Sequence, residues 1–119
     1  MWHNLIQRPA SADFFRWVVI PLLVLFAGHA AAVDAKAAET LARQGGCLKC
    51  HGIDKKKEGP SLKEIAAKWR GKPDAFPKLT KQVTVVSKVK IEGNEEEHGA
   101  VKTQDPAAIK NLLEWLLAL

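Results

Sequence analysis

The sequence predicts a small all-α domain of about four helices, with a short β-hairpin before the last helix. Three observations predict this fold class. Helix start signals recur along the chain, apolar residues follow them at helical spacing, and β-branched residues alternate in a single stretch. The 119 residues have room for one small domain. We place this domain at residues 33–119.

Residues 1–32 have the pattern of a signal for export to the periplasm. Two arginines precede an apolar run over residues 17–27, and small residues follow, which is the order found in a cleaved secretory signal. Cleavage after Ala32 or after Ala35 fits the pattern. The alternative, an uncleaved anchor, is weaker because the run is about half of the roughly 20 residues that span a bilayer. The mature chain is therefore expected to have no membrane span.

Three helices are predicted before the hairpin. The first covers Ala35 to Gln44 and is closed by the glycine pair Gly45-Gly46. Ser61, with a glutamate three residues later, has the capping-box pattern and opens a helix to about Trp69. Asp74 caps the next helix, and its apolar stripe contains Phe76, Leu79 and Val83.

The hairpin and the last helix follow. Val89–Glu92 alternates like a strand, Gly93-Asn94 signals a turn, and Gly99–Thr103 is the predicted return strand. Asp105-Pro106 begins the last helix, because Asp is a good cap and Pro fits the first helical position.

Both cysteines of the chain lie in Cys47-Leu48-Lys49-Cys50-His51, the attachment sequence for a c-type haem. The spacing of the thiols matches the two porphyrin vinyl groups, and the adjoining His51 becomes the proximal iron ligand. Haem attachment takes place outside the cytoplasm, so the motif and the export signal support each other. The predicted cofactor is one covalent haem c per chain.

Two other uses of the cysteines are weaker. A zinc site needs about four ligands, and Cys47, Cys50, His51 and His98 supply that number, but His51 directly follows Cys50, outside the usual spacing. A dithiol redox motif calls for alternating strands and helices nearby, and this sequence has no such pattern.

From Ala35 onward the chain resembles the bacterial class I c-type cytochromes. The resemblance is carried by Gly46, Cys47–Gly52, Gly59–Leu62, Ile65–Trp69, Gly71–Ala75 and a last helix with Leu112, Trp115 and Leu116. It implies a cytochrome c fold around one haem. It also implies that the last helix crosses the first near Gly45 or Gly46 and Trp115, and that the carbonyl of Pro60 accepts a hydrogen bond from the ligand His51.

The chain departs from this family at the sixth iron ligand. Class I cytochromes usually supply a methionine there, and the only methionine here is Met1, inside the signal. By elimination His98 is the substitute, because His3 and His29 also lie in the signal and His51 is already used. Ligation by two histidines predicts a lower reduction potential than ligation by His and Met.

Weaker alternatives for the sixth position remain open. Asn94 or Lys102 could bind the iron, or the position could be open and take up a gas. His98 itself follows Glu95–Glu97 and could be a surface residue. If these glutamates lie near the haem, they lower the potential further.

The net charge of +5 is too mild for a nucleic-acid-binding protein and fits a basic docking face. Lys55–Lys57 is either a solvated loop or part of that face. No acid–base constellation points to an enzyme. We therefore expect a one-electron carrier between periplasmic or membrane-bound redox proteins, of unspecified oligomeric state. The alternatives are a haem-based small-ligand binder or sensor, and a cytochrome subunit of a larger redox complex.

Overall fold

A computed structural model describes residues 31–119, so residues 1–30 of the predicted export signal lie outside the described part. The described chain has five helices and one two-stranded sheet, and none of these helices is long and apolar enough to cross a bilayer. The elements are α1 (Ala35–Gln44), α2 (Cys47–Cys50), α3 (Leu62–Trp69), α4 (Ala75–Thr84), β1 (Ser87–Ile91), β2 (Asn94–His98) and α5 (Pro106–Ala118).

The predicted fold class is confirmed, with one helix more than expected. That helix is α2, a single turn, which is too short to show an apolar period. The hairpin before the last helix is present, as predicted.

α5 is the centre of the core, because α1, α3 and α4 all pack against it. The two buried residues of α1, Ala38 and Ala42, are both small and belong to this core. The chain also approaches closely at Gly45, where an added Cβ would stand 3.3 Å from Cγ1 of Val101. The side chain nearest to this glycine is Val101, which precedes α5, rather than Trp115 of the last helix.

A pair of hydrogen bonds joins the start of α1 to the middle of α5. The backbone N–H of Asp34 donates to Oδ1 of Asn111 over 2.8 Å, and Nδ2 of Asn111 donates to the carbonyl of Asp34 over 2.8 Å. The Asp34 side chain also accepts from the backbone N–H of Ala37, which caps α1. One residue therefore both begins α1 and fixes it to α5.

The predicted capping box of α3 is present, with the backbone N–H of Ser61 donating to Glu64 over 2.6 Å. The predicted cap of α4 differs, because Asp74 makes no capping hydrogen bond and instead pairs with Lys78. The predicted apolar stripe of α4 is also partly wrong. Leu79 is buried but Phe76 is 38% exposed, since the buried face runs through Ala75, four positions before Leu79, and Phe76 lies about 100° away.

The predicted return strand, Gly99–Thr103, is wrong. Glu92 and Gly93 both have positive φ, 51° and 89°, and form a two-residue turn, so pairing starts at once between Ile91 and Asn94. β2 therefore ends at His98, which lies opposite Ser87. The hairpin therefore brings His98 back beside Ser87, at the open end of the hairpin and close to the end of α4.

We predict that Asn111→Ala lowers the free energy of unfolding by about 1–3 kcal/mol, because two hydrogen bonds of about 0.5–1.5 kcal/mol each are lost. Chemical denaturation followed by circular dichroism measures this change. Lys110→Ala is the matched control, since Lys110 makes only an exposed ion pair with Glu114. Equal stability of Asn111→Ala and the parent protein would contradict the role of this contact.

Candidate functional site

The two cysteines lie on one side of a single helical turn. Gly46 has a φ of 75°, which lets the chain turn sharply out of α1, and α2 then carries Cys47 and Cys50 three positions apart. Residues at this spacing lie on the same face of a helix. Both thiols are half-buried and free of a disulfide, so they present two sulfur atoms on one short rigid element.

The loop after α2 folds back and holds it in place. The N–H of Gly59 donates to the carbonyl of Cys50 over 2.9 Å, and the N–H of Leu62 donates to the carbonyl of Gly52 over 2.8 Å. Nζ of Lys57 donates to the carbonyl of Leu48 over 2.7 Å. Lys57, which the sequence offered as part of a docking patch, thus also braces the cysteine turn.

The imidazole of His51 is fixed from two directions. Its Nδ1 lies 2.6 Å from the carbonyl oxygen of Pro60, and a carbonyl only accepts, so Nδ1 donates. The ring also lies against Gly59, where an added Cβ would stand 2.6 Å from Cε1 of His51. In the neutral ring this tautomer leaves the lone pair on Nε2, which is the form in which imidazole binds a metal. This is the contact that the family resemblance implied for Pro60.

His98 faces His51 across a gap. The two ring centres are 6.1 Å apart and the ring planes are tilted by 58°. Burial lowers the pKa of His98, and the neighbouring His51 adds to the shift, so the neutral imidazole is favoured. Its Nδ1 is buried without a hydrogen-bond partner, which is unusual for a buried polar atom and is typical where a bound group completes a site.

A cavity of about 740 Å³, the large cavity, opens beside the two histidines. Both imidazoles and Cys47 line it, together with apolar side chains from α3, α4, β1 and α5. Those apolar residues include Leu62, Trp69, Leu79, Val89, Leu112 and Trp115. Such a space matches the volume and apolar lining of a cofactor site.

A second cavity of about 220 Å³, the small cavity, shares part of this wall. The residues that line both cavities are Cys47, His51, Pro60, Val89 and His98. The small cavity adds Cys50 and two carboxylates, Glu58 and Glu97. The two cavities thus meet at the histidine pair and at Cys47, while Cys50 lines the small cavity alone.

This arrangement fits a haem. An apolar space adjoins two thiols on one helical turn, and two facing imidazoles border it. The zinc alternative fits less well, because within residues 31–119 no three His, Cys, Asp or Glu side chains are grouped to hold a metal ion.

The thiols also lack the low pKa of reactive dithiols. Burial raises the pKa of Cys47, and a hydrogen bond to Glu58 raises the pKa of Cys50. The dithiol alternative is therefore disfavoured.

The structure also reveals a basic cluster that the sequence interpretation missed. The ammonium groups of Lys68, Lys72 and Lys78 lie 5.3–5.7 Å from the centre of the Trp69 ring. Lys68, Lys78 and Lys81 line the large cavity. These four lysines come from α3, α4 and the turn between them. A charge count along helix faces would have been the only signal in the sequence.

Comparison with known proteins gives a consistent result. A match to the protein family described as cytochrome c covers residues 35–119. Cytochrome c-552 of Hydrogenobacter thermophilus is 33% identical over 102 residues, which cover 82% of this chain and 95% of that protein. Cytochrome c-552 of Nitrosomonas europaea is 36% identical over 85 residues, covering 71% and 81% of the two chains.

Solved structures agree with the sequence matches. The class 1 cytochrome MtoD from Sideroxydans lithotrophicus ES-1 superposes with a TM-score of 0.68 at 52% identity. The alignment covers 73% of this chain and 97% of that one. The wild-type cytochrome c552 of Nitrosomonas europaea superposes with a TM-score of 0.52 at 30% identity, covering 66% and 95% of the two chains.

We predict that Gly59→Ala displaces the His51 ring, because the added methyl group has no room beside it. The ferric absorption and NMR spectra of the haem should change, and stability should fall by about 1–3 kcal/mol. Gly71→Ala is the control, since Gly71 has a φ of 76° but an added Cβ meets no atom within 4 Å. That variant should lose stability through backbone strain and keep the haem spectrum. An unchanged spectrum in Gly59→Ala would contradict the clamp on His51.

Proposed function

The chain belongs to the cytochrome c family, and from that premise we propose that it carries single electrons in the periplasm with His51 and His98 as the axial iron ligands. Proteins of this family bind one covalently attached haem c per chain. When bound, the haem iron takes up and releases one electron. The protein supplies the thiols, the ligands, the apolar walls and the surface that partners contact.

The observation that carries the proposal is the 6.1 Å between the ring centres of His51 and His98. Two metal–imidazole bonds of about 2.0–2.1 Å, together with the two ring half-widths, span roughly 6 Å. The separation thus suits one metal ion between the rings. The bond from Nδ1 of His51 to Pro60 orients that ring, and burial lowers the pKa of His98, which favours the neutral imidazole that ligation needs.

The surroundings of the ligands favour a low reduction potential. Two imidazoles stabilise ferric iron more than an imidazole and a thioether do. Glu97 lines the small cavity beside His98, and its negative charge favours the more positive ferric state. Glu95 in the same strand is instead paired with Lys88. The bond from His51 to Pro60 acts in the same direction, because it raises the basicity of the ligand.

The start of the folded domain supports an export signal that is cut after Ala32. Asp34 caps α1 and bonds to Asn111 on α5. A cut after Ala32 keeps Asp34, whereas a cut after Ala35 removes it together with these contacts. The first position therefore gives the more stable mature protein.

The surface favours acidic redox partners. Lys68, Lys78 and Lys81 line the large cavity, so positive charge lies where a partner approaches the cofactor. Lys55–Lys57 is exposed and can extend this charge. Such faces raise the association rate with proteins of opposite charge, and the effect weakens as salt is added.

We predict that His98→Met gives the ferric protein the long-wavelength absorption band of iron–methionine ligation and raises its reduction potential. Absorption spectroscopy and redox titration measure both effects. Glu97→Gln is the matched control, because it removes a neighbouring charge and keeps the ligand. This control should raise the potential slightly without the new band. If His98→Met leaves both the spectrum and the potential unchanged, His98 is not the sixth ligand.

We also predict that the exported, haem-containing protein begins at Val33. Mass spectrometry of the periplasmic fraction and N-terminal sequencing test this start. Recovery of a full-length chain from the membrane fraction would instead support the uncleaved anchor. A start at Lys36 would contradict the structural preference for keeping Asp34.

A further inference from the structure

We propose that acidic electron-transfer proteins dock on the surface around Trp69, and that the electron passes between such a partner and the haem through the Trp69 indole. This surface, the Trp69 face, consists of Trp69, Lys68, Lys72, Lys78 and Lys81. The inference rests on the proposed electron-carrier function. It goes beyond that function, because it assigns the exchange to one surface and one side chain and leaves the lysines of the cysteine turn outside it.

Trp69 connects the cofactor cavity to the protein surface. It is the last residue of α3 and is half-buried. Its ring lines the large cavity, which the haem would fill. Lys72 is exposed and does not line that cavity, yet its ammonium group lies 5.3 Å from the centre of the Trp69 ring. The indole therefore reaches from the cavity to an exposed lysine, and a haem in the cavity does not cover that outer contact.

The lysines are held around the ring by the fold. The ammonium groups of Lys68 and Lys78 lie 5.7 Å and 5.6 Å from its centre, and both residues are exposed. In the turn between α3 and α4, the N–H of Lys72 donates to the carbonyl of Trp69 over 3.1 Å, and the N–H of Ala75 donates to the carbonyl of Lys72 over 3.1 Å. The attraction of each cation to the indole opposes the mutual repulsion of the lysines. The positive charge is thus concentrated around one ring.

The Trp69 face stays positive when the haem is bound. It has four ammonium groups, and the carboxylate paired with it is Asp74, which lies 2.6 Å from Nζ of Lys78. A haem adds two propionates, and both of them together with Asp74 would still leave one ammonium group in excess. Arg70, the residue after Trp69, is exposed and adds a further positive charge. The cofactor therefore reduces the charge of this face without reversing it.

The lysines near the cysteine turn form a different surface. Lys49 and Lys55–Lys57 are exposed, but none of them lines either cavity. Acidic side chains lie among them, since Glu58 accepts a hydrogen bond from Cys50 over 3.3 Å and Asp54 pairs with Lys63. Positive charge there is interrupted, and no aromatic side chain of the described residues connects these lysines to the cofactor cavity.

The chemistry of the Trp69 face fits a partner with carboxylates around its own redox centre. Tryptophan is enriched at the energetic centre of protein interfaces, and lysines around it steer and orient a partner of opposite charge. In the exchange one electron leaves a reduced partner and reduces ferric haem, or leaves ferrous haem and reduces an oxidised partner. No bond is made or broken and no proton moves. The indole lies in contact with the cavity, so it shortens the gap that the electron must cross.

The test is stopped-flow oxidation of the ferrous haem-containing protein by ferricyanide, a trianion that represents an acidic partner. The triple variant Lys68→Gln, Lys72→Gln, Lys78→Gln should lower the second-order rate constant at low salt about five- to tenfold and weaken its dependence on salt. Removing positive charge near the haem also lowers the reduction potential, which by itself speeds oxidation. A slower reaction is therefore due to lost docking.

The matched control removes the same charge at the cysteine turn, by Lys49→Gln, Lys55→Gln and Lys56→Gln. It should lower the ferricyanide rate constant by less than about twofold. An equal or larger loss in this control would overturn the Trp69 face as the place of exchange.

The role of the indole is tested by comparing two oxidants. Tris(phenanthroline)cobalt(III) is a cation that the lysines repel, so it takes its electron elsewhere. Trp69→Leu should lower the ratio of the ferricyanide rate constant to the cobalt rate constant at least about threefold, and Trp69→Phe should recover most of it. A change of potential or of folding slows both oxidants and leaves this ratio in place. A ratio unchanged in Trp69→Leu would overturn the indole path, whereas a protein that neither oxidant can oxidise would overturn the electron-carrier function itself.

Discussion

The structure depends on the fixed orientation of one imidazole. The Nδ1 of His51 donates a hydrogen bond to the carbonyl of Pro60, and the ring lies against Gly59, where there is no room for a side chain. For this geometry the loop after α2 must return to the turn that carries the cysteines, and its backbone hydrogen bonds show that it does. The position of His51 defines one side of the space between it and His98, and the helices form the walls of that space.

Much of this arrangement follows from short-range signals in the sequence. The capping box at Ser61 and the Asp105-Pro106 start both act within one turn, and both appear as predicted. The return strand was misplaced because the charged segment Glu95–Glu97 shows no alternation. The pairing of this segment with β1 is fixed by the tight turn at Glu92-Gly93 rather than by an apolar pattern. Phe76 has the helical spacing of Leu79 and Val83, but the buried face of α4 runs through Ala75 and Leu79, and Phe76 lies about 100° from Ala75.

The residues of the site also differ in how far the sequence predicts them, and again the local signals are the informative ones. The motif from Cys47 to His51 is contiguous, so the sequence contains its geometry almost completely. His98 was found by elimination among histidines, and its placement 6.1 Å from His51 depends on the hairpin and cannot be derived from spacing along the chain. The lysines around Trp69 come from two helices and the turn between them, and only the folded arrangement brings them together.

The two tryptophans of the folded domain, Trp69 and Trp115, both line the large cavity. The other two of the four lie in residues 1–30, outside the described part of the chain. A porphyrin in that cavity would absorb the light that both indoles emit, so the tryptophan fluorescence of the native protein would be strongly quenched. Unfolding would separate the indoles from the pigment and restore their emission. The protein thus contains its own optical reporter of folding, which requires no added label.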